Sequence, residues 1–449
     1  MKSIIKPFFI CLLFFTGACK ETQDIQKLNT FSDGQLEVWN DHLSGIIIKD
    51  IFTPPVASRI YAYTNIAAYE ALAPGYPEYQ SLAGQLHDFP RVPKPTPGKE
   101  YYFPVAGIKA FSTVCKKLTL VAGNTETYEM QYLEEIEKIG IKKEVLENSL
   151  AYGELVGQQI IAWALKDQYL ETRGMSRHDL SAKMNEWQPT PPDYMPAVEP
   201  HWGNIRPFVL DSAAQCKPLA PTPFDTLASS VFYKQAAEIY EFGKNADPKQ
   251  MLIAQYWDDN PNVSYTKGHV TYFKQKLTPG GHWLSIASNV IKEKKLNIMQ
   301  AAETYVLVST SLADGFISCW AAKFKYVHIR PDTYIQRYID ENWSPLIQTP
   351  PFPEFPSGHS VISAAAATAL THLFGDNYAF TDSTQLVLGL APRKFKSFAD
   401  AAKEAGMSRM YGGIHFRPAN ELGAQQGRDV GNLVASRLKT RKNNQTARL

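Results

Sequence analysis

The stretch that decides the fold reads Pro350-Pro351-Phe352-Pro353-Glu354-Phe355-Pro356-Ser357-Gly358-His359-Ser360, and it runs directly into the alanine-rich segment Val361 to Leu373. Prolines cannot extend a helix into this point and serine is a strong N-cap, so the order predicts a helix that begins at the Ser-Gly-His step. The unpaired N–H groups of its first turn, the Ser357 hydroxyl and the close approach that Gly358 permits make an anion-binding helix end. His359 brings a titratable ring to the same spot. A capping serine and a first-turn histidine standing alone are most often structural, so the reading depends on what the rest of the chain supplies.

Two other segments supply it. Lys323-Phe324-Lys325-Tyr326-Val327-His328-Ile329-Arg330-Pro331 closes a helix expected to start near Ala301. Lys323 and Arg330 are seven residues apart, close to two helical turns, so both cations are expected on one helix face. Like charges there repel unless an anion lies between them. In Ser408-Arg409-Met410-Tyr411-Gly412-Gly413-Ile414-His415-Phe416-Arg417-Pro418 the two glycines break one helix, and another is expected from about Asn420 to Leu438. His415 then sits at a turn, with Arg409 one helix end away. Together the three segments offer Lys323, Arg330, Arg409, Ser357, the Gly358 amide and two histidines. A tetrahedral or trigonal-bipyramidal oxyanion needs such a set, with charge-assisted donors around its equator and an imidazole on its axis.

Around these segments the chain reads as mostly helical, with apolar positions recurring at three and four in Leu36 to Ile48, Val56 to Leu72, Thr125 to Ile139, Val145 to Leu165, Ala301 to Phe324 and Val361 to Leu373. Alternating strand patterns are scarce. The predicted class is all-α, helical bundles joined by long Pro-rich loops, one loop around Phe89 to Pro104 and one from about Gly174 to Pro223. The second carries Trp187, Tyr194, Trp202 and Phe208 and is expected to pack on the surface. The tail Lys439 to Leu449 is basic and is expected to fray. One large domain over residues 30–440 is expected, with the catalytic part at about 250–440.

Composition narrows the function. With 44% hydrophobic residues and 23 Phe, 23 Tyr and 8 Trp, the chain has ample material for a core and is not a disordered one. Lys+Arg 46 against Asp+Glu 44 leaves a net charge of +2, so no global field recruits nucleic acid and any anion site is local. The five cysteines, Cys11, Cys19, Cys115, Cys216 and Cys319, show neither a CxxC pair nor a zinc spacing. Lys2 and Lys6 precede the apolar run Phe8 to Phe15, and Thr16-Gly17-Ala18 lead to Cys19. Residues 1–18 therefore read as an export signal resembling a bacterial lipobox, apart from Thr16 where Leu is usual, with Cys19 as a lipidated first residue attaching a periplasmic or cell-surface protein to the membrane; a plain secretory signal of a secreted protein is the alternative. Oligomeric state is not legible.

The string Lys323-x6-Arg330-Pro331, Pro356-Ser357-Gly358-His359 and Ser408-Arg409-x5-His415 resembles the three-part signature of vanadium-dependent haloperoxidases and type 2 phosphatidic acid phosphatases. Pro54-Pro55 with Tyr69-Glu70-Ala71, Tyr256-Trp257-Asp258-Asp259, Pro279-Gly280-Gly281-His282-Trp283 and Trp320 extend the resemblance to residues 35–440. The resemblance implies that Lys323, Arg330, Ser357, Gly358 and Arg409 bind the equatorial oxygens of vanadate. It implies that His415 ligates vanadium axially and that His359 is the acid-base group. Hydrogen peroxide would then oxidise halide, iodide or bromide first, to hypohalous acid, with Lys323 polarising the peroxide. Trp320 and Phe352 would wall the halide pocket, with His328 near it. One departure is Ala419, where the family commonly carries an acid, so His415 must be oriented from elsewhere, by a backbone carbonyl or Asn420. Asp259 and Asp314 are expected as partners of Arg409 or Lys323.

The same signature permits a secreted acid phosphatase that needs no vanadate, with a phosphomonoester as substrate, His415 attacking phosphorus and His359 protonating the leaving alcohol. A third reading is a surface lipoprotein that binds glycan or peptide through Trp187 to Phe208. The absence of several membrane-spanning runs and the aromatic pair Trp320 and Phe352 favour the haloperoxidase.

Overall fold

The computed structural model describes residues 24–261, 263–442 and 449; the segment expected to be an export signal and Cys19 lie outside the described residues, as do residues 443–448 of the tail. The chain is 58% helix and 4% strand, as the periodicity predicts. In order the helices are α1 (Ile25–Ser32), α2 (Gln35–Lys49), α3 (Pro54–Leu72), α4 (Phe103–Leu118), α5 (Ala122–Ile139), α6 (Lys143–Ala164), α7 (Tyr169–Gly174), α8 (Val231–Lys244), α9 (Pro248–Tyr256), α10 (Pro279–Lys294), α11 (Ile298–Tyr326), α12 (Pro331–Tyr338), α13 (Gly358–Phe374), α14 (Phe398–Tyr411) and α15 (Arg417–Arg437). Two short antiparallel hairpins interrupt them, β1 (Ser264–Lys267) with β2 (Val270–Phe273), and β3 (Phe380–Asp382) with β4 (Arg393–Phe395).

The axis of the packing is α11. Its N-cap Asn297 forms a reciprocal capping box with Gln300, and nearly every residue from Ile298 to Trp320 is buried. One side of α11 lies on α3, which is itself buried along its whole length and backed by α4 and α6; the other side meets α13 and α15. α11 is long and apolar enough to cross a bilayer, but the protein's own helices cover it.

The contact that positions the site is α13 on α15. A Cβ at Gly427 would lie 2.1 Å from the Val361 carbonyl oxygen, and one at Gly431 2.7 Å from that of Ala365. Only glycine at these places lets the two backbones touch. The helix approach carries the Ser357 amide to within 3.0 Å of the Ala419 carbonyl. Ala419, where an acid was the expected residue, thus anchors the start of α13 through its backbone.

Several expectations change. Lys323 and Arg330 do not share a helix face: α11 ends at Tyr326, Val327 turns left-handed at φ 46, and Arg330 is the N-cap of α12. The break, rather than helical phase, brings the cations together. The helix expected near Asn420 starts at Arg417, because Pro418 suits a first turn. In the long connector Trp187, Trp202 and Phe208 are buried but Tyr194 is 63% exposed. The start of the tail does not fray: Arg441 pairs with Glu303 at 2.6 Å, and the Thr440 hydroxyl donates to the same carboxylate. Cys115, Cys216 and Cys319 are free.

Candidate functional site

The cage begins with the end of α11. Lys323 is fully buried, and its ammonium donates to three carbonyls of the proline-rich run: Pro353 at 2.8 Å, Glu354 at 3.1 Å and Pro356 at 2.6 Å. Those bonds use all of an ammonium's donors. Lys323 therefore holds the segment that delivers Ser357, and what it offers an anion is its charge. Burial pushes its pKa down to about 7.

Arg330 does the same for the two neighbouring segments. Its Nε and Nη2 donate to the Phe352 carbonyl, and Nη1 donates to the Ile414 carbonyl at 2.8 Å and lies 3.2 Å from Nε2 of His415. One guanidinium thus ties all three sequence segments together. Arg409 donates through Nη1 to the Trp257 carbonyl at 2.7 Å, while its buried Nε and Nη2 have no hydrogen-bond partner. The nearest carboxylate, Asp258 Oδ1, stands 3.9 Å from Nη2.

Both histidines face one narrow cavity, whose wall also contains Gly358, Trp320, Phe352 and Ile414. His415 is oriented by a residue that the sequence reading passed over. Nδ1 of His415 lies 3.0 Å from Oε1 of Glu354, which also accepts the Phe416 amide; the other carboxylate oxygen accepts from Nδ1 of His328 at 2.9 Å. Neither a carbonyl nor Asn420 orients His415; the Asn420 side chain instead accepts from Ser360. With an acceptor at Nδ1 and an arginine donor at Nε2, the ring must be neutral with its proton on Nδ1. Burial, then repulsion from Arg330, holds its pKa at about 3. For Glu354, burial favours the neutral acid, but the hydrogen bonds from His328 and His415 outweigh it and keep the group ionised far below the usual carboxylate range.

His359 sits at the start of α13, as expected, with Ser357 as N-cap accepting from the Ser360 amide. A ring N–H of His359 is directed to the Trp257 carbonyl, and its buried Nε2 has no partner. Burial and the cations of Arg409 hold this ring well below the ordinary imidazole value, so Nε2 presents a lone pair to the cavity.

The remaining predicted residues fall in different places. Trp320 and Phe352 form the aromatic wall, ring centroids 5.0 Å apart, with the Lys323 ammonium 5.0 Å from the Phe352 ring. His328 lies behind Glu354 against Phe232, Phe355 and Phe416, away from the cavity wall. Asp314 partners neither Lys323 nor Arg409. It lies more than two turns before Lys323 on α11 and accepts the amides of Phe208, Val209 and Leu210, so it pins the long connector. Asp259 lines the cavity but pairs with His282 at 2.8 Å; the acid beside Arg409 is its neighbour Asp258. The other ring nitrogen of His282 meets Asp382 at 2.8 Å, so both must carry protons; burial opposes that charge, yet the two carboxylates raise its pKa to about 10. This imidazolium stacks on Trp257 at 4.6 Å, whose carbonyl holds Arg409.

Lys323, Arg330 and Arg409 are buried cations; the carboxylates that act on them are Glu354 at Lys323, Glu354 and Asp332 at Arg330, and Asp258 and Asp259 at Arg409. The open donors of the buried Arg409, the unpartnered Nε2 of His359 and a helix N-terminus match an oxyanion. Among the described residues no cluster of His, Cys, Asp or Glu is placed to hold a bare metal ion.

A family model of the VCPO second helical-bundle domain matches residues 303–444, the part of the chain that holds all three segments. A solved structure of a bacterial vanadium-dependent iodoperoxidase is 41% identical, with a TM-score of 0.87 over 92% of this chain and 98% of that one. The holo and apo forms of a bacterial vanadium-dependent chloroperoxidase are 17% and 16% identical, with TM-scores of 0.66 and 0.65. The holo match covers 87% of this chain and 93% of that chain, and the apo match 86% and 95%; at this identity they speak for the fold alone. Curated protein sequences give no match. The chain belongs to the vanadium-dependent haloperoxidase family.

Proposed function

We propose that this protein is a vanadate-dependent haloperoxidase that oxidises iodide with hydrogen peroxide to hypoiodous acid. The observation that carries the reading is the buried Arg409 with two open donors close to the unpartnered Nε2 of His359, which faces the same cavity as His415. The residues present fit vanadate, an oxyanion whose charge Arg409 and the first turn of α13 would meet.

His415 would ligate vanadium through Nε2, since its Nδ1 proton is fixed on Glu354. Arg330, Arg409, the Ser357 hydroxyl, the Gly358 amide and the charge of Lys323 would hold the oxygens. When bound, vanadate supplies a pentavalent centre that polarises peroxide without changing its own oxidation state. The chain's contribution is to keep His415 neutral, to keep water out with Trp320 and Phe352, and to hold or return a proton at Nε2 of His359. Iodide suits the aromatic wall best, because it is the least strongly hydrated of the halides that the site would have to strip of water. Phosphomonoester hydrolysis would use the same cage, but the matching proteins are haloperoxidases.

The assay is iodide oxidation with peroxide by vanadate-loaded protein, lost in His415→Ala and His359→Ala. Hydrolysis of p-nitrophenyl phosphate by the vanadate-free protein, with vanadate only inhibiting and no iodide oxidation, would reverse the assignment. We further propose export with acylation at Cys19; incorporation of labelled palmitate that disappears in Cys19→Ser supports it, and equal incorporation opposes it.

A further inference from the structure

The chain has 23 tyrosines, yet among the described residues only three are strongly exposed: Tyr194 at 63%, Tyr265 at 52% and Tyr272 at 43%. They are not scattered. Tyr265 on β1 and Tyr272 on β2 are cross-strand partners with rings stacked at 5.1 Å and an interplanar angle of 16°. Tyr194 belongs to the long connector, and the residue before it, Asp193, accepts hydrogen bonds from Ser264 and Thr266 on either side of Tyr265. The three phenols therefore occupy two segments tied together by one carboxylate.

Those segments leave from the cavity wall. Asn260 lines the cavity, and Tyr265 follows it by five residues, a reach of at most about 18 Å. On the other side Ser264 is held by Gln348, two residues from the wall residue Pro350. The Val198 amide, four residues after Tyr194, bonds to the Pro351 carbonyl, and the Val198 carbonyl accepts from the Trp320 indole of the aromatic wall. The three exposed phenol rings therefore stand on segments continuous with the cavity wall.

We propose that Tyr194, Tyr265 and Tyr272 are modification sites at which the protein is iodinated by its own product, an inference that rests on the haloperoxidase reading. One peroxide, one iodide and one proton give one hypoiodous acid and one water. Hypoiodous acid then delivers iodine, formally I⁺, to a ring carbon ortho to the phenol oxygen. A C–I bond forms, the ring C–H bond breaks, and the displaced proton leaves with the reagent's hydroxide as water. No further oxidant is needed. The nearby rings present a high effective concentration, so they compete with any solute that must diffuse to the product.

The test uses full-length vanadate-loaded protein with iodide, small pulses of peroxide and excess free methionine as a scavenger in solution, followed by peptide mass spectrometry. In a second arm the same total amount of hypoiodous acid is added from outside with the same scavenger. Iodine on these three tyrosines is expected to be about tenfold higher in the first arm, as proximity predicts. The variant carrying Tyr194→Phe, Tyr265→Phe and Tyr272→Phe is expected to oxidise iodide at the unaltered rate and to lose the label. Equal labelling in the two arms, or label mainly on other tyrosines, overturns the inference. Iodide turnover with no ring iodination overturns it and leaves the haloperoxidase standing, whereas no turnover overturns both.

Discussion

Two buried clusters in this molecule use the same residue types in opposite ratio. At Glu354 one carboxylate serves two imidazoles, His415 and His328; at His282 one imidazole lies between two carboxylates, Asp259 and Asp382. The ratio and the neighbouring cations decide the charge. Where carboxylates are in excess, the imidazole is held protonated with a pKa near 10. Where imidazoles are in excess and Arg330 stands against one of them, that imidazole is neutral with a pKa near 3 and the carboxylate stays ionised. A buried histidine beside an acid is therefore not a fixed unit. The first arrangement yields a structural cation under Trp257, and the second yields a neutral imidazole whose Nε2 lone pair faces Arg330 at the cavity.

The largest effect that would break this comparison is expected from Glu354→Ala. It leaves the donors of His415, His328 and the Phe416 amide without their acceptor, at a cost of about 3–5 kcal/mol. Vanadate affinity should fall by about 10–100-fold, as for lost supports of metal-ligating histidines. Calorimetric titration of the variant with vanadate measures the second number, and unchanged affinity would detach Glu354 from the site.

His282→Asn should cost a similar amount of stability, about 3–5 kcal/mol, by leaving two buried carboxylates without their cation. The pH profiles then separate the clusters. The folded pKa of His282 lies above its unfolded value of about 6.5, so its contribution is full below that pH and is lost as pH rises toward about 10. Glu354 has a depressed folded pKa, so its contribution is full above the unfolded value of about 4.3 and is lost as pH falls. Melting temperature against pH should show the alkaline limb flattened in His282→Asn and the acid limb flattened in Glu354→Gln. Identical limbs in both variants would contradict the comparison.

Smaller effects sharpen it. Phe352→His replaces part of the apolar wall with a polar ring and should raise bromide against iodide oxidation, read as the ratio of kcat/KM, by about tenfold or 1.4 kcal/mol. His328→Phe keeps the Glu354 contact with His415 and should change vanadate affinity by less than about threefold, below 0.7 kcal/mol.

The helices and the start of α13 were legible because periodicity and capping are local properties of sequence. Glu354 was not, although one signal pointed to it: a lone acid inside a run of Pro and Phe has nowhere to go but inward, and there it needs donors. The partnership of His282 with Asp382 joins residues a hundred positions apart through the β3 edge, which no local pattern encodes. Arg330 was found for the wrong geometric reason, since its place depends on the left-handed turn at Val327, a β-branched residue that no turn rule selects. Asp314 was misassigned because its neighbours in sequence suggested the cage, whereas its partners are three amides of a connector about a hundred residues earlier.

The most direct measurement is a crystal structure of the protein soaked with orthovanadate. The account predicts a single vanadium bonded to Nε2 of His415, its oxygens on the free donors of Arg409 and the first turn of α13, and Nε2 of His359 facing it. Vanadate bound away from His415, or its absence from the cavity at saturating concentration, would contradict the account.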